Sequence, residues 1–175
     1  MTLGERVPSV KRMSRSRAKL THLDRHGKAR MVDVTPKKET AREALARGRV
    51  FLHRQALDRV IENRAEKGDV LTVARIAAVQ AVKRTSELIP LAHPLNITGV
   101  DLEFELDQDG PSIGIQARVR CQGPTGVEME ALTAVTVAAL TIYDMLKAVD
   151  RTMVIGEIAL WEKRGGRSGV YRRRG

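Results

Sequence analysis

Apolar and polar residues alternate along two stretches in the middle of the chain. Between residues 97 and 107, apolar side chains such as Leu102 and Phe104 are separated by acidic ones. The same period continues in residues 113–119, and Asp109-Gly110 between the two stretches is typical of a tight turn. Because a period of two places alternate side chains on opposite faces of a strand, the pattern predicts a β-hairpin with one apolar face.

Two segments before this hairpin have the period of an α-helix. In residues 54–65, apolar residues such as Leu57 and Ile61 recur on one side and charged residues on the other. Asp69 is a favourable N-cap for a second helix, which we predict to continue to about Glu87. This second helix is rich in alanine, which indicates that a neighbouring element packs close to its backbone.

The longest predicted helix follows the hairpin and is apolar on nearly every side. Thr125 and Glu128 have the spacing of a capping box, and we predict that the helix begins there and ends near Asp150. A helix with so few polar positions is expected to be buried on several sides.

Two further strands complete the predicted fold. Residues 39–52 begin with helix-favouring alanine and glutamate but end in residues that favour a strand, and we interpret the segment as a strand. Residues 154–162 alternate again. The order is strand, two helices, two strands, helix, strand. It predicts an α+β fold, a ferredoxin-like antiparallel sheet with helices packed on one face.

The net charge of +10 lies at the two ends of the chain. Residues 1–30 contain nine basic and two acidic side chains, and residues 163–175 contain six basic and no acidic ones. The remaining residues carry 16 basic and 19 acidic side chains, so the middle of the chain is mildly acidic. We therefore expect a flexible basic arm over residues 1–19 and a basic tail over residues 170–175.

The composition argues against several classes of protein. No uncharged apolar run reaches about 18 residues, and residues 1–20 lack the apolar core of a secretory signal. Cys121 is the only cysteine, which excludes an internal disulfide and a multi-cysteine metal cluster and favours a reducing cytoplasm. Five aromatic residues are few for a surface that stacks the bases of single-stranded nucleic acid.

The long helix carries a candidate catalytic pair, Asp144 and Lys147. Three positions apart, they share a helix face, where they could form a structural salt bridge or tune each other for proton transfer. We expect both to be buried. Glu130 faces the same way but lies about 21 Å along the helix from Asp144. Either a substrate contacts both ends of this helix at a site where two copies of the chain meet, or Glu130 only interacts with the positive N-terminal end of the helix dipole.

Three other segments are weaker candidates for function. His93 lies on a connector between two prolines that we expect to be extended, and a lone histidine is more often a packing or surface residue. Lys67 precedes a helix N-terminus, where backbone N–H groups attract phosphate. The glycine-rich residues 165–169 lack the spacing of a P-loop, and His22 and His26 lack a third ligand for zinc.

Six runs of the sequence resemble the cyclic pyranopterin monophosphate synthase (MoaC) family of molybdenum cofactor biosynthesis. The resemblance extends over residues 20–169, which we expect to form one synthase domain. The runs are residues 31–34 (MVDV), 67–69 (KGD), 81–85 (AVKRT), 88–95 (LIPLAHPL), 125–133 (TGVEMEALT) and 138–149 (AALTIYDMLKAV).

The resemblance implies a reaction and a set of site residues. A lyase of this family converts a cyclised dihydro-GTP, made from GTP by a radical enzyme, into cyclic pyranopterin monophosphate and releases pyrophosphate. By the matching positions, Asp144 would be the catalytic acid, and Lys67 and Lys147 would be lysines needed for the reaction. The matching substrate-binding positions are Leu91, Ala92, His93, Met129 and Glu130.

The resemblance also implies an assembly and one departure from the family. The expected assembly is a homohexamer, a trimer of dimers, with active sites at subunit interfaces. Ala92 stands where the family usually has cysteine, which argues against a thiol nucleophile there, and we expect the change to be tolerated. We expect no protein-held metal and no redox cofactor, and Mg²⁺ accompanying the triphosphate or pyrophosphate is left open.

Two other classes of function compete with an enzyme. The basic ends could serve a nucleic-acid-binding module, whose affinity would fall steeply with salt and disappear when the ends are removed. Alternatively, the alanine-rich helices could assemble a scaffold without turnover. Release of pyrophosphate from cyclised dihydro-GTP would exclude the scaffold.

Overall fold

The structure is a computed structural model, and it describes residues 26–174. The chain divides into two units, of which the first ends at Val32 and the second begins at Asp33. In the first unit, the described residues begin with a turn at His26, and the side chains up to Met31 are exposed. The predicted flexible arm over residues 1–19 and His22 lie outside the described residues.

The second unit has the α+β architecture predicted from the sequence. Its sheet has five antiparallel strands in the order β2-β3-β1-β4-β5. The first four strands and the helices between them follow the ferredoxin-like split arrangement. The strands are β1 (Thr40–Phe51), β2 (Asn96–Asp107), β3 (Ser112–Gly123), β4 (Val154–Arg164) and β5 (Tyr171–Arg172), and the helices are α1 (Arg54–Ile61), α2 (Val70–Lys83), α3 (Thr85–Leu88) and α4 (Glu128–Leu146).

The core lies between the sheet and the two long helices, and small side chains let these layers approach closely. Ala74 and Ala78 of α2 and Ala134 of α4 are fully buried, which confirms the close packing inferred from alanine content. At Gly48 of β1, an added Cβ would lie 2.6 Å from Val135 Cγ1 of α4, so only glycine allows this approach. Helix α4 is apolar and long enough to cross a membrane, and here it is a core helix.

The opposite face of the sheet carries charged side chains, as the alternation predicted. Arg118 Nη1 of β3 lies 2.6 Å from Glu43 Oε1 of β1. The Arg47 guanidinium lies 4.5 Å from the centre of the Trp161 ring. The helices therefore cover one face and leave these groups on the other.

The structure corrects the predicted ends of two helices. The second predicted helix does not run unbroken to Glu87, because α2 ends at Lys83 and a short α3 follows. The predicted capping box is wrong, because the N-cap of α4 is Val127 and no side chain caps it. The Glu128 carboxylate instead lies against Gly126 and 3.9 Å from Lys163 Nζ. At its other end, α4 stops at Leu146 rather than near residue 150.

Candidate active site

Three charged side chains meet at the C-terminal end of α4. Lys147 Nζ donates a hydrogen bond of 2.7 Å to Asp144 Oδ1. Lys67 Nζ donates to Asp144 Oδ2 at 2.8 Å and to the Asp144 carbonyl oxygen at 2.9 Å. One carboxylate therefore holds two ammonium groups, and the pair predicted from helical spacing becomes a cluster of three.

The short loop between α1 and α2 positions Lys67. Gly68 has a φ of 91°, in the left-handed region that glycine adopts without strain, and its N–H donates to the Ala65 carbonyl. Asp69 then caps α2 by accepting a hydrogen bond of 3.0 Å from the Thr72 N–H, which confirms its predicted role. The run Lys67-Gly68-Asp69 thus turns the chain and starts the next helix, which leaves the lysine directed at α4.

The expectation that Asp144 is buried is wrong for the single chain. The Asp144 side chain is 55% exposed, and those of Lys67 and Lys147 are 47% and 53% exposed. The last turn of α4 carries these groups out of the layer between helices and sheet. Hydrogen bonds and charge from Lys147 and Lys67 lower the pKa of Asp144 to about 2. Its carboxylate is therefore ionised at neutral pH.

Glu130, near the N-terminal end of α4, has the opposite environment. Its side chain is 3% exposed, and burial raises its pKa to about 7, with a smaller contribution from the charge of Glu128. A carboxyl group with such a pKa can gain or lose a proton near neutral pH. The helix dipole, which would stabilise the charged form, does not prevail over burial here.

A basic cavity of about 320 Å³ opens beside the start of α4. The Arg42 guanidinium lines it and donates hydrogen bonds of 3.0 Å to the carbonyl oxygens of Gly123 and Pro124, just before the helix. Other polar and charged residues in its lining are Lys37, Glu43, Thr125, Glu128, Lys163, Arg164, Arg167 and Ser168, so five cations face two carboxylates. The cavity thus gathers cations from β1, β4 and the loop after β4, a combination that suits an anionic ligand.

The glycine-rich loop after β4 forms one wall of this cavity. Gly165 and Gly166 have φ values of 94° and 71°. A Cβ at the first would collide with the Ala41 carbonyl, and a Cβ at the second with the Arg42 guanidinium. Lys163 at the end of β4 hydrogen-bonds the Ser168 hydroxyl across the loop. These two glycines are therefore required for the loop to pack beside Arg42.

The remaining predicted binding residues lie on the connector before β2 and on the first turn of α4. The connector is not extended throughout as predicted, because the Ala92 N–H donates to the Ile89 carbonyl and closes a turn. Leu91 is exposed, and Ala92 and His93 are half-buried. Met129 is exposed at the start of α4.

The structure joins some of the predicted residues and separates others. It brings Lys67, Asp144 and Lys147 into contact. Met129 and Glu130 lie at the other end of α4, about 21 Å from Asp144 by the rise of the helix. Arg42 and Lys163 were not predicted from the sequence, because their roles depend on contacts with residues distant in the chain. Within residues 26–174, no group of three His, Cys, Asp or Glu side chains could hold a metal ion.

Comparisons with known proteins give one consistent result. Residues 31–166 match the MoaC family. A cyclic pyranopterin monophosphate synthase of Heliobacterium modesticaldum is 60% identical over 152 residues, which cover 87% of this chain and 96% of that protein. A protein of the same name from Chloroflexus aurantiacus is 57% identical, over 92% of this chain and 99% of its own length. One from Thermomicrobium roseum is 60% identical, over 89% of this chain and 94% of its own length. All eight predicted site residues lie within the matched region.

Proposed function

This chain belongs to the MoaC family, and we propose that it is the lyase that forms cyclic pyranopterin monophosphate in molybdenum cofactor biosynthesis. Its substrate is the cyclised dihydro-GTP intermediate, and its second product is pyrophosphate. The observation that carries the proposal is identity of up to 60% along nearly the whole length of enzymes with this name. The cluster of Lys67, Asp144 and Lys147 supplies groups suited to the reaction.

The cluster at the end of α4 handles protons during ring rearrangement. Opening and closing the C–N bonds of the fused rings requires protons to be delivered and removed. In the free chain Asp144 is ionised, because its pKa is about 2, and it accepts a hydrogen bond from each lysine. Asp144 becomes a proton donor only when substrate displaces a lysine from it, since the loss of that hydrogen bond raises the carboxyl pKa.

The basic cavity binds the phosphates. A ribose hydroxyl must attack the α-phosphate and expel pyrophosphate, and this step needs positive charge around the phosphate oxygens. Arg42, Lys163 and Arg167 line the cavity and supply this charge. Met129 and Glu130, on the first turn of α4 beside the cavity, contact the guanine-derived rings, and the protonated Glu130 can donate a hydrogen bond to a ring atom.

Each active site is formed by two copies of the chain. Because the two ends of α4 lie about 21 Å apart, one small substrate cannot contact both ends within one chain. A homohexamer, arranged as a trimer of dimers, brings the Asp144 end of one copy to the Glu130 end of another. Exposed apolar side chains on the long helices support such packing, among them Ile76 and Leu140, which are 54% and 55% exposed.

The reaction limits what else the enzyme needs. Substrate and products differ by no net oxidation or reduction, so we propose no redox cofactor, and any Mg²⁺ arrives with the phosphates. The partner is a small molecule, with no specific nucleic acid and no membrane. The reducing cytoplasm is the proposed location, in keeping with a single cysteine.

A direct assay tests the proposed reaction. The purified protein is supplied with cyclised dihydro-GTP, and pyrophosphate and the pterin product are quantified together. We expect equal amounts of both products, at a rate that Asp58→Asn, a substitution at a half-exposed position on α1, leaves unchanged. A folded, assembled protein that releases no pyrophosphate would contradict the proposal and favour a scaffold.

A further inference from the structure

A buried carboxylate, Asp150, lies just beyond the catalytic end of α4. It is 4% exposed, and both of its oxygens accept hydrogen bonds. Oδ2 accepts from the His53 N–H at 2.7 Å. Oδ1 accepts from the Thr152 N–H at 2.8 Å and from the Thr152 hydroxyl at 2.7 Å. The predicted end of the helix near residue 150 is therefore a turn closed around this side chain.

The two partners of this carboxylate belong to different segments of the chain. Thr152 lies in the same turn, which the backbone also closes through the Asp150 N–H and the Leu146 carbonyl at 3.0 Å. His53 is the N-cap of α1, and its own side chain does not cap that helix. Asp150 therefore connects the turn after α4 to the N-cap of α1.

The same two segments meet a second time, in the catalytic cluster. Helix α1 extends about 12 Å from His53 and leads into the loop that carries Lys67. The turn after α4 leads back to Lys147 and Asp144. The contact between Lys67 and Asp144 is exposed, and exposed ion pairs hold geometry weakly. The contact between Asp150 and the His53 N–H is short, charge-assisted and partly buried, and such hydrogen bonds are stronger.

We propose that Asp150 is a positioning residue, which holds the turn carrying Asp144 and Lys147 against α1 so that Lys67 reaches the Asp144 carboxylate. Although burial acts to raise its pKa, hydrogen bonds from His53 and Thr152 leave the pKa of Asp150 below its ordinary value, so the carboxylate stays ionised. The geometric part of this proposal is independent of the reaction. The effect on turnover rests on the proposed function.

Two substitutions at His53 test the connection with little other change. His53→Pro removes the N–H that Asp150 accepts from together with the imidazole, whose Nδ1 lies 3.8 Å from Asp150 Oδ1, and the φ of −72° at this position suits proline. His53→Ala is the matched control, because it removes the exposed imidazole and keeps the N–H. Asp150→Ala removes the acceptor itself.

The first readout needs no substrate. The carboxyl ¹³C shift of Asp144, assigned with Asp144→Asn, is followed from pH about 7 to about 4. In the natural protein and in His53→Ala we expect no titration in this range, because the pKa is about 2. In His53→Pro and Asp150→Ala, Lys67 is no longer held at the Asp144 carboxylate, so the pKa of Asp144 rises and its titration begins near pH about 4. Absence of titration in His53→Pro would overturn the proposal, even if Asp150→Ala does not fold.

The second readout is turnover. We expect His53→Pro to lower kcat by about tenfold while KM changes less than about twofold, since misplaced groups slow the chemical step rather than binding. His53→Ala should retain the kcat of the natural protein. Equal kcat values for the two variants would also overturn the proposal. If the natural protein itself shows no turnover, the proposed reaction fails, and the titration of Asp144 still decides the role of Asp150.

Discussion

Lys67 and Asp144 are 77 positions apart in the chain, yet the Lys67 ammonium donates hydrogen bonds to both the side chain and the main-chain carbonyl of Asp144. The double contact joins the loop before α2 to the last turn of α4. With Lys147 on the other carboxylate oxygen, it lowers the pKa of Asp144 to about 2. The geometry and charge of this cluster are the basis of the first prediction.

Asp144→Asn should abolish most turnover while the protein still folds and assembles. The amide cannot hold two ammonium groups by charge or take up a proton, and loss of a proton-transfer group typically costs about 10²- to 10⁴-fold. Pyrophosphate release is the measurement, with oligomeric mass and circular dichroism as checks on the fold. Turnover within about threefold of the natural protein would remove Asp144 from the mechanism.

Glu130→Gln should stabilise the protein at alkaline pH and have little effect at pH about 5. The pKa of Glu130 is raised to about 7 in the folded state, whereas the unfolded value is near 4.5. Above the unfolded pKa the unfolded chain releases its proton first, so stability falls as pH rises from about 4.5 to about 7. Glutamine removes this loss, which is of the order of 1–3 kcal/mol at pH about 8.

Urea unfolding of both proteins at the two pH values, at one protein concentration, measures this difference. A stability gain that is the same at pH 5 and pH 8 would show that Glu130 titrates normally in the folded state.

Lys163→Met should weaken substrate binding more than it slows catalysis. Lys163 lines the basic cavity and its ammonium lies 3.9 Å from Glu128 Oε1, so its loss removes positive charge where we place the phosphates. We expect KM to rise by about tenfold, with kcat changed less than about threefold. Lys38→Met, which removes the same charge from an exposed position outside the cavity lining, is the control. Equal effects of the two substitutions would indicate general electrostatics rather than a phosphate site.

Mixed oligomers of two inactive variants should regain activity. If each site takes Asp144 from one copy and Glu130 from another, random mixing of Asp144→Asn with a turnover-deficient Glu130 variant restores both residues in about a quarter of the sites. Coexpression with two different tags and purification of the mixed species supplies the sample, and pyrophosphate release measures it. Mixed oligomers no more active than the separate variants would place both residues in the same chain's site, or in no common site.

The sequence predicted best those features that depend on neighbouring residues. The hairpin of β2 and β3 follows from local alternation, and the N-cap at Asp69 follows from its place before Val70 and Leu71. The Asp144–Lys147 contact follows from helical spacing. The prediction of a capping box was wrong because the Glu128 carboxylate lies against Gly126 and near the Lys163 ammonium. Lys163 is 35 positions away in the chain, so the sequence around α4 could not indicate this contact.

The sequence by itself determined the order of helices and strands, the apolar face of the sheet and, through its motifs, the family. These properties follow from the short-range periodicity of apolar residues and from the residue types found at fixed spacings. Only the tertiary structure decided that Lys67 joins Asp144, that Asp144 is exposed while Glu130 is buried, and that Arg42 supports the turn before α4. The physical reason is that burial and charge depend on which distant segments pack together, and these in turn set the pKa of each carboxyl group.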